Sequence, residues 1–502
     1  MNLHKKILSM EGVRKLEGSD FSLCYGHFNL VHPGHLRYLH HAKKINKKLI
    51  VAIRSDKDLD GDMFAQHYTE VERSTSIANI HIVDNVVILN KLSIGELIDL
   101  LRPSELVLGK EFELEKTEQI NFAIERVKKY NGFVDFHAGD THYSSSDLLY
   151  DSALNIEEVK KNSFRKICNS HNITYDDLHC KIQNFSNVNL LVIGDTIVDN
   201  YVACEAIGMS AEAPVLVVQE LENREFIGGA AIVASHVKSL GGQCTYMSVI
   251  GDDPQANNVE KVLKDRGIDV NLFVDKSRPT TYKTRYMVDN QKLFRVSKIK
   301  SHQISSEIEK DIIQKLTNLA PKLDGIMVSD FVYGVITLNV LDKIRSLAKK
   351  FNIKLFGDLQ CSSQVGSVLK FQEFDLITPT EKESRIALGD NEGGIEWIAN
   401  TLLKKTKSKN MLTKLGSEGF IAYSNQNPIQ RQNFPALTIN PIDVAGAGDS
   451  LFAAMSISLS SGSSLVEASL IGSCMASLAV KEVGNIPISK NKLSAYIKII
   501  LN

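Results

Sequence analysis

Short apolar runs rich in β-branched residues alternate with amphipathic stretches along almost the whole chain. In the first 150 residues the runs are FSLCYG, KKLIVAIRSD, VVILN, ELVLG and GFVDFHAG, with helical patterns between them around 93–101 and 115–129. Such alternation predicts a parallel sheet with helices on both faces. Residues 151–187 are polar, charged and helix-compatible (NIEEVKKNSFRKICNSH, then YDDLHCKIQNF) and read as a helical connector. A second series opens with NLLVIGD and continues through APVLVVQE, CTYMSVIGDD, GIMVSDF, IKLFGD and FDLITP to helices after GAGD. The expected organisation is α/β throughout: a first domain over 1–150, the connector over 151–187 and a second domain over 188–502. No repeat with a period of 20–50 residues is present, which argues against a solenoid.

Composition narrows the class. The chain has 502 residues, 43% of them hydrophobic and 23% charged, as expected of a globular protein with real cores. A net charge of -1 supplies no global basic field for nucleic acid or an anionic membrane. The opening MNLHKKILSMEGVRKLEG lacks a signal-peptide core, and no run is apolar enough to span a bilayer. Seven scattered cysteines without a Cys-x-x-Cys pair support neither a zinc site nor a disulfide framework, so a reduced cytoplasm is the expected compartment.

Chemistry concentrates near the C-terminus, in NPIDVAGAGDSLFAAM. Gly446, Ala447 and Gly448 allow a sharp turn whose amide N–H groups face outward, and the helix start adds its positive dipole end. That combination suits an anion whose charge grows during reaction, such as a transferring phosphoryl group. Asp449 follows, where a carboxylate can accept the proton of an attacking hydroxyl. The alternative is an aspartate N-cap after a glycine turn, a common structural device.

These residues resemble the D-x-x-G-A-G-D signature of the ribokinase (PfkB) family of carbohydrate kinases. Further segments match in order over some 260 residues: VIGDTIVDNY, IGGAAIVASHVKSLGG, GDD, VSDFVYG, LITPTEKE and LTKLGSEGF. The resemblance implies an αβα sandwich with a small β lid built around APVLVVQE and 281–297. It implies Asp449 as general base and Gly446, Ala447 and Gly448 as an anion hole. Asp199, Gly228, Gly229 and Arg295 would contact the sugar, and Lys414, Gly416 and Gly419 would lie near ATP. Glu383 would contact Mg²⁺ through water. The chain departs from the family at Ile232 and Thr380, where asparagines are usual, and at Gly357-Asp358-Leu359-Gln360, where the heptose kinases nearest in pattern carry D-P-K-G.

The first domain carries GHFNLVHPGHLRYL, with His32 and His35 three apart around Pro-Gly, after a strand and before a helix. Two imidazoles at a helix start can hold the phosphates of a nucleoside triphosphate and stabilise departing pyrophosphate. A surface loop with chance histidines is the plainer alternative. His-x-x-His without an acidic helical partner is a poor metal site, and His40, His41 and the lysines at 43–48 read as a solvated helix face.

Residues 7–150 resemble the cytidylyltransferase-like superfamily, with GHFNLVHPGH standing for G-x-F-D-x-x-H-x-G-H. The resemblance implies nucleotide contacts from Gly26, Phe28, Arg73, Ser144, Ser145 and Ser146, with ATP or CTP as the second nucleotide. Asn29 replaces the usual aspartate, and Lys57 is the sole Lys or Arg in KDLDGDMFAQH.

Joined, the two halves resemble the bifunctional heptose-phosphate kinases and heptose-1-phosphate adenylyltransferases of lipopolysaccharide synthesis, with the domain order inverted. The expected activity is phosphorylation of a sugar or sugar phosphate, then nucleotidyl transfer to a sugar 1-phosphate giving NDP-sugar and pyrophosphate. The expected partners are these small molecules, and relatives of both halves often form dimers. Two other readings fit the residues: a kinase with a silent nucleotide-binding first domain, and a sugar or nucleotide sensor without turnover. An intact Asp449 argues against the sensor.

Overall fold

A computed structural model describes residues 6–501 except 17–19, 30, 32, 44–46, 60–67, 91, 110–111, 113–116, 138–152, 289–290, 362–363 and 392. The chain divides into two compact units, Met1–Asn155 with Asp390–Asn400, and Ile156–Gly389 with Thr401–Asn502.

The first unit holds strands β1 (Phe21–Gly26), β2 (Lys48–Arg54), β3 (Asn85–Leu89), β4 (Glu105–Gly109) and β5 (Phe133–His137) in one sheet of order β3-β2-β1-β4-β5. All four pairings are parallel. Because successive side chains point to opposite faces, β1 and β2 feed two cores. Leu23, Tyr25, Ile50 and Ala52 join one cluster, and Cys24, Leu49, Val51 and Ile53 the other. Burial on both faces is why these strands read as unbroken apolar runs. Capping boxes start two helices: Thr69 with Glu72 for Glu70–Ala78, and Ser93 with Glu96 for Ile94–Leu101. The strand order reverses at β1, the place where open parallel sheets bind ligands beyond their carboxyl ends.

The second unit contains β6 (Asn189–Gly194), β7 (Thr196–Met209), β8 (Leu216–Gly229), β9 (Gln243–Ile250), β10 (Asp269–Val274), β11 (Thr281–Val288), β12 (Gln291–Lys298), β13 (Gly325–Asp330), β14 (Lys354–Leu359), β15 (Leu376–Ile377), β16 (Asn410–Lys414), β17 (Phe420–Ser424) and β18 (Gln430–Phe434). Nine form the main sheet, β10-β9-β6-β13-β14-β15-β16-β17-β18, and four form a lid sheet, β12-β11-β7-β8. The main sheet is parallel up to β16, and β17 and β18 are antiparallel.

VIGDTIVDNY is two strands rather than one. The break at Asp195 turns the chain from the main sheet into the lid. There the Asp195 amide donates to Ser329 O at 3.3 Å, its carbonyl accepts from Ala230 N at 3.0 Å, and its Oδ2 accepts from Phe331 N at 2.8 Å. Bonds in three directions fix the corner.

The segment read as a connector carries helices Ala153–Ser170 and Tyr175–Gln183. Phe164, Ile167 and Cys168 on the first, and Leu178 and Ile182 on the second, share one buried cluster with Leu190 and Val192 of β6. Helical spacing aims one stripe of each helix at that core. No helix among the described residues is long and apolar enough to cross a membrane.

Candidate active sites

The helix Ala447–Ser460 starts at Gly446, whose φ of 77° lies in the left-handed region. A Cβ there would overlap the Asn485 amide oxygen, so glycine is required twice over. Gly446 brings no side chain to cap the helix. The Gly448 and Asp449 amides therefore have neither an intrahelical acceptor nor a cap, and Ala447 N reaches only Val444 O at 3.5 Å, an arrangement that can receive an anion.

Asp449 lies in that first turn and is 6% exposed. Burial, and then the neighbouring Asp358 charge, push its carboxyl up to about 7, against the pull of Lys414 and the Gln360 amide. Gln360 Nε2 donates to Asp449 Oδ1 at 2.7 Å and to Asp358 Oδ2 at 3.2 Å. Asp358 also accepts from Lys414 Nζ at 2.7 Å and Thr378 Oγ1 at 2.6 Å. Burial draws the Lys414 ammonium down, but Asp358, then Glu383, outweigh it and hold it above its ordinary value. A carboxyl titrating near neutrality beside open amides can take a proton from a hydroxyl while the amides hold growing negative charge.

Asp443, at the head of the motif, ties the loop down. It accepts from Ala445 N at 3.1 Å, Tyr201 Oη at 2.8 Å and Lys292 Nζ at 3.1 Å. Burial pushes its carboxyl up, yet these donors together hold it below its usual value.

Asp199 on β7 is buried, ion-paired with Arg285, and accepts from Asn485 Nδ2 at 3.1 Å. Asn485 thus links it to the Gly446 turn. A Cβ at Gly228 would collide with Asp199 Oδ2, and Gly229 (φ 62°) caps the helix Ala230–Ser239. Arg295, expected at the sugar, lies exposed on β12, in register opposite Arg285 of β11. β11 pairs with β7, and β12 lies one strand further out, which puts Arg285 and not Arg295 beside Asp199. Lys283, the register partner of Asp199, is 3% exposed, with its ammonium 5.5 Å from the Phe331 ring centroid and 5.3 Å from that of Tyr333.

Thr380 caps the helix Glu381–Leu388, and Glu383 is the reciprocal member of its capping box. Glu383 Oε2 accepts from Thr380 N at 2.8 Å and Oε1 from Cys361 N at 3.0 Å. Threonine serves this cap as asparagine would. Ile232 is wholly buried in the helix after the glycine pair. Gly416 (φ 65°) and Gly419 (φ 101°) shape the turn after β16, next to Lys414. A separate cavity of about 600 Å³, lined in part by His171, Asp177, Arg431 and Glu467, shares none of these residues.

In the first unit, His35 lies in the first turn of the helix Pro33–Ala42, beyond the end of β1. Phe28 is a buried packing residue, its ring centroid 5.0 Å from that of His35 and 6.2 Å from that of Tyr38. A Cβ at Gly26 would press on the same ring. Arg73, expected at the phosphates, turns inward: its side chain is 0% exposed and donates to Tyr68 O, His27 O, Arg54 O and Asp56 Oδ1 at 2.7–2.9 Å. Its guanidinium ties the loop after β2 to the helix Glu70–Ala78. His41 is likewise buried, 2.6 Å from Asp135, rather than on a solvated face. His32, Ser144, Ser145 and Ser146 lie outside the described residues.

Sequence reasoning passed over Arg285, Lys283 and Asn485. Alternation marked Lys283 and Arg285 as facing one side of their strand, but only strand order sets them beside β7, and Asn485 had no signal.

Comparison with known proteins places both halves. Residues 188–492 match the family profile "pfkB family carbohydrate kinase", and residues 23–149 match "Cytidylyltransferase-like". The chain is 28% identical over 321 residues to the bifunctional protein HldE of Trichlorobacter lovleyi, covering 63% of this chain and 64% of that protein. It is 32% identical over 299 residues to the protein of the same name from Helicobacter acinonychis, covering 59% and 63%. The chain thus spans less than two thirds of the length of these relatives. The fold matches ribokinase from Thermotoga maritima, with TM-score 0.50, 22% identity and coverage of 62% of this chain and 99% of that one. It also matches phosphofructokinase-2 from Escherichia coli, with TM-score 0.52, 17% identity and coverage of 63% and 99%. With most of its length under one family profile, the chain belongs to the pfkB family of carbohydrate kinases and carries a cytidylyltransferase-like domain ahead of the kinase.

Proposed function

We propose that the second unit phosphorylates a sugar or sugar phosphate of the heptose-phosphate kind with ATP. The first unit then transfers a nucleotidyl group to a sugar 1-phosphate, in cytoplasmic synthesis of a surface polysaccharide or lipopolysaccharide. The observation that carries the kinase reading is the buried Asp449, its carboxyl near neutrality, in the first turn of an uncapped glycine-led helix. In this reading the acceptor hydroxyl gives its proton to Asp449 as its oxygen bonds to the γ-phosphorus. The bond from that phosphorus to the β,γ-bridging oxygen breaks, and ADP leaves. The amides of the Gly446–Gly448 turn hold the phosphoryl charge. Asp199, Gly228, Gly229 and Arg285 hold the sugar, and Lys414, Gly416 and Gly419 border ATP.

Glu383 fits a hydrated Mg²⁺ rather than a caged one. Each of its oxygens already accepts one amide, and no group of three or more metal-ligating side chains stands together among the described residues. Magnesium retains several waters in such sites, and when bound it neutralises phosphate charge.

In the first unit His35, at the switch point of the sheet, supports nucleotidyl transfer with ATP or CTP. One observation favours a second reading, in which this domain binds nucleotide without turnover: Arg73 is fully engaged in the fold. Mass spectrometry of products after incubation with ATP, CTP and heptose phosphates tests both. A phosphorylated sugar and an NDP-sugar support the bifunctional reading, the first alone supports the second reading, and neither product overturns both.

For assembly we propose a homodimer through the lid, supported by Ile207, Met209, Leu216 and Leu221, each 58–65% exposed. Light scattering of the full chain checks it, and a monomer at micromolar concentration refutes it.

A further inference from the structure

We propose that Gln360 is a positioning residue for the phosphoryl transfer, orienting the Asp449 carboxylate and tuning its proton affinity through a neutral amide. The inference rests on the reading of Asp449 as the base and goes one step beyond it.

Gln360 stands just past the end of β14, in the turn that also presents Cys361 N to Glu383. Its one amide nitrogen reaches both carboxylates, Asp449 Oδ1 at 2.7 Å and Asp358 Oδ2 at 3.2 Å. Two buried acids would otherwise face each other with nothing between them. The geometry also sorts the oxygens of Asp449. Oδ1 is engaged, whereas Oδ2 makes no hydrogen bond among the described residues and remains for the acceptor hydroxyl. Asp358 is held from its other side by Lys414 and Thr378, so Gln360 hangs from a fixed point. An amide nitrogen shared between a fixed carboxylate and Asp449 Oδ1 holds the Asp449 rotamer, which is what a base needs to meet a proton in line.

The charged groups acting on Asp449 are Asp358 from β14, Lys414 from β16 and Asp199 from β7. Gln360 adds no charge to this set. It stabilises the ionised form by hydrogen bonding alone, and removing that bond favours the protonated acid. A cation in its place would do the reverse.

The test compares the full-length protein with Gln360→Met and Gln360→Lys, using carboxyl-¹³C aspartate labelling without substrate. The Asp449 resonance is identified by its loss in Asp449→Asn. The titration is expected to move up by about one pH unit in the methionine variant and down by about one in the lysine variant. The acid limb of kcat for a heptose phosphate should follow, while KM for ATP changes less than threefold. Should Gln360→Met fail to fold, the lysine variant decides alone. Titrations unmoved in the folded variants overturn the proposal even if Asp449→Asn is inactive. An active Asp449→Asn instead overturns the base assignment and leaves the titration result to stand by itself.

Discussion

Lys414 donates to Asp358 across 2.7 Å, and the pair connects through Gln360 to Asp449. Three titratable groups thus share one buried network, in which the lone cation holds down the acid that must ionise. Replacing Lys414 with methionine should move the acid limb of kcat upward. Activity at pH 7 should fall about tenfold or more, with partial recovery near pH 9, because one pKa unit is a factor of ten in ionised fraction. A pH–rate profile reads this directly, and a uniform loss at every pH would show that Lys414 acts in some other way.

Asp449→Asn should lower kcat by two to four orders of magnitude, roughly the range for loss of a positioned base, with ATP affinity nearly intact. It should also change stability with a definite sign. A carboxyl whose folded pKa lies near 7, against 3.8 for the ordinary group, binds more protons folded than unfolded between those values. Stability therefore falls as pH rises from about 4 to 7. Asparagine removes that dependence, so the variant should melt a few degrees higher than the native chain at pH 8, with the gap closing toward pH 4. Thermal melts at the two pH values check it.

Arg285→Ala should raise KM for the sugar at least tenfold, because it strips a buried Asp199 of its ion pair. Arg295→Ala, on the outer lid strand, should change KM less than threefold. Steady-state kinetics on the pair of variants separate the two arginines.

Arg73→Met should destabilise the first unit by about 2–3 kcal/mol, since it leaves three carbonyls without their donor. Asp56 keeps water contact at 37% exposure, so its loss adds little. His35→Ala should leave the urea midpoint near the native value and abolish pyrophosphate release, with kinase turnover unchanged. Equal destabilisation by both variants would place His35 among the structural residues.

Much of this was legible because the informative residues are adjacent in sequence. Gly446, Ala447, Gly448 and Asp449 occupy one turn, so the spacing pointed to the turn, while the choice of Asp449 as an acid over an N-cap came from the surrounding family-like segments. The five strands of the first sheet and the central strands of the second were legible from apolar runs, whereas the break at Asp195 and the polar outer strands such as β18 were not. The arginine at Asp199 was not, since Arg285 and Arg295 sit on neighbouring strands of similar pattern, and only strand order decides which one reaches β7. Arg73's place in the fold was hidden for a related reason. A buried arginine and a phosphate-binding one look alike until the carbonyls around the side chain are known. The stretch 151–187 was legible as helical, but not as part of the second unit's core, because its few apolar residues face a cluster contributed largely by later sequence.

The corner at Asp195 has a mechanical consequence. A single residue separates a strand of the main sheet from a strand of the lid, and β8 returns directly into the helix Ala230–Ser239. Neither of these crossings has slack, so on the β7/β8 side the lid is tethered tightly, while longer segments, 275–280 and 299–305, connect β11 and β12. On this side, opening would pivot about that corner or flex β7 along its length, and the bulges at Ala203/Cys204 and Ala206/Gly208 make the outer part of β7 the compliant part. Asp199 lies on the stiff side of those bulges, four residues from the pivot. Its carboxylate would sweep only a short arc while the far tip travels widely.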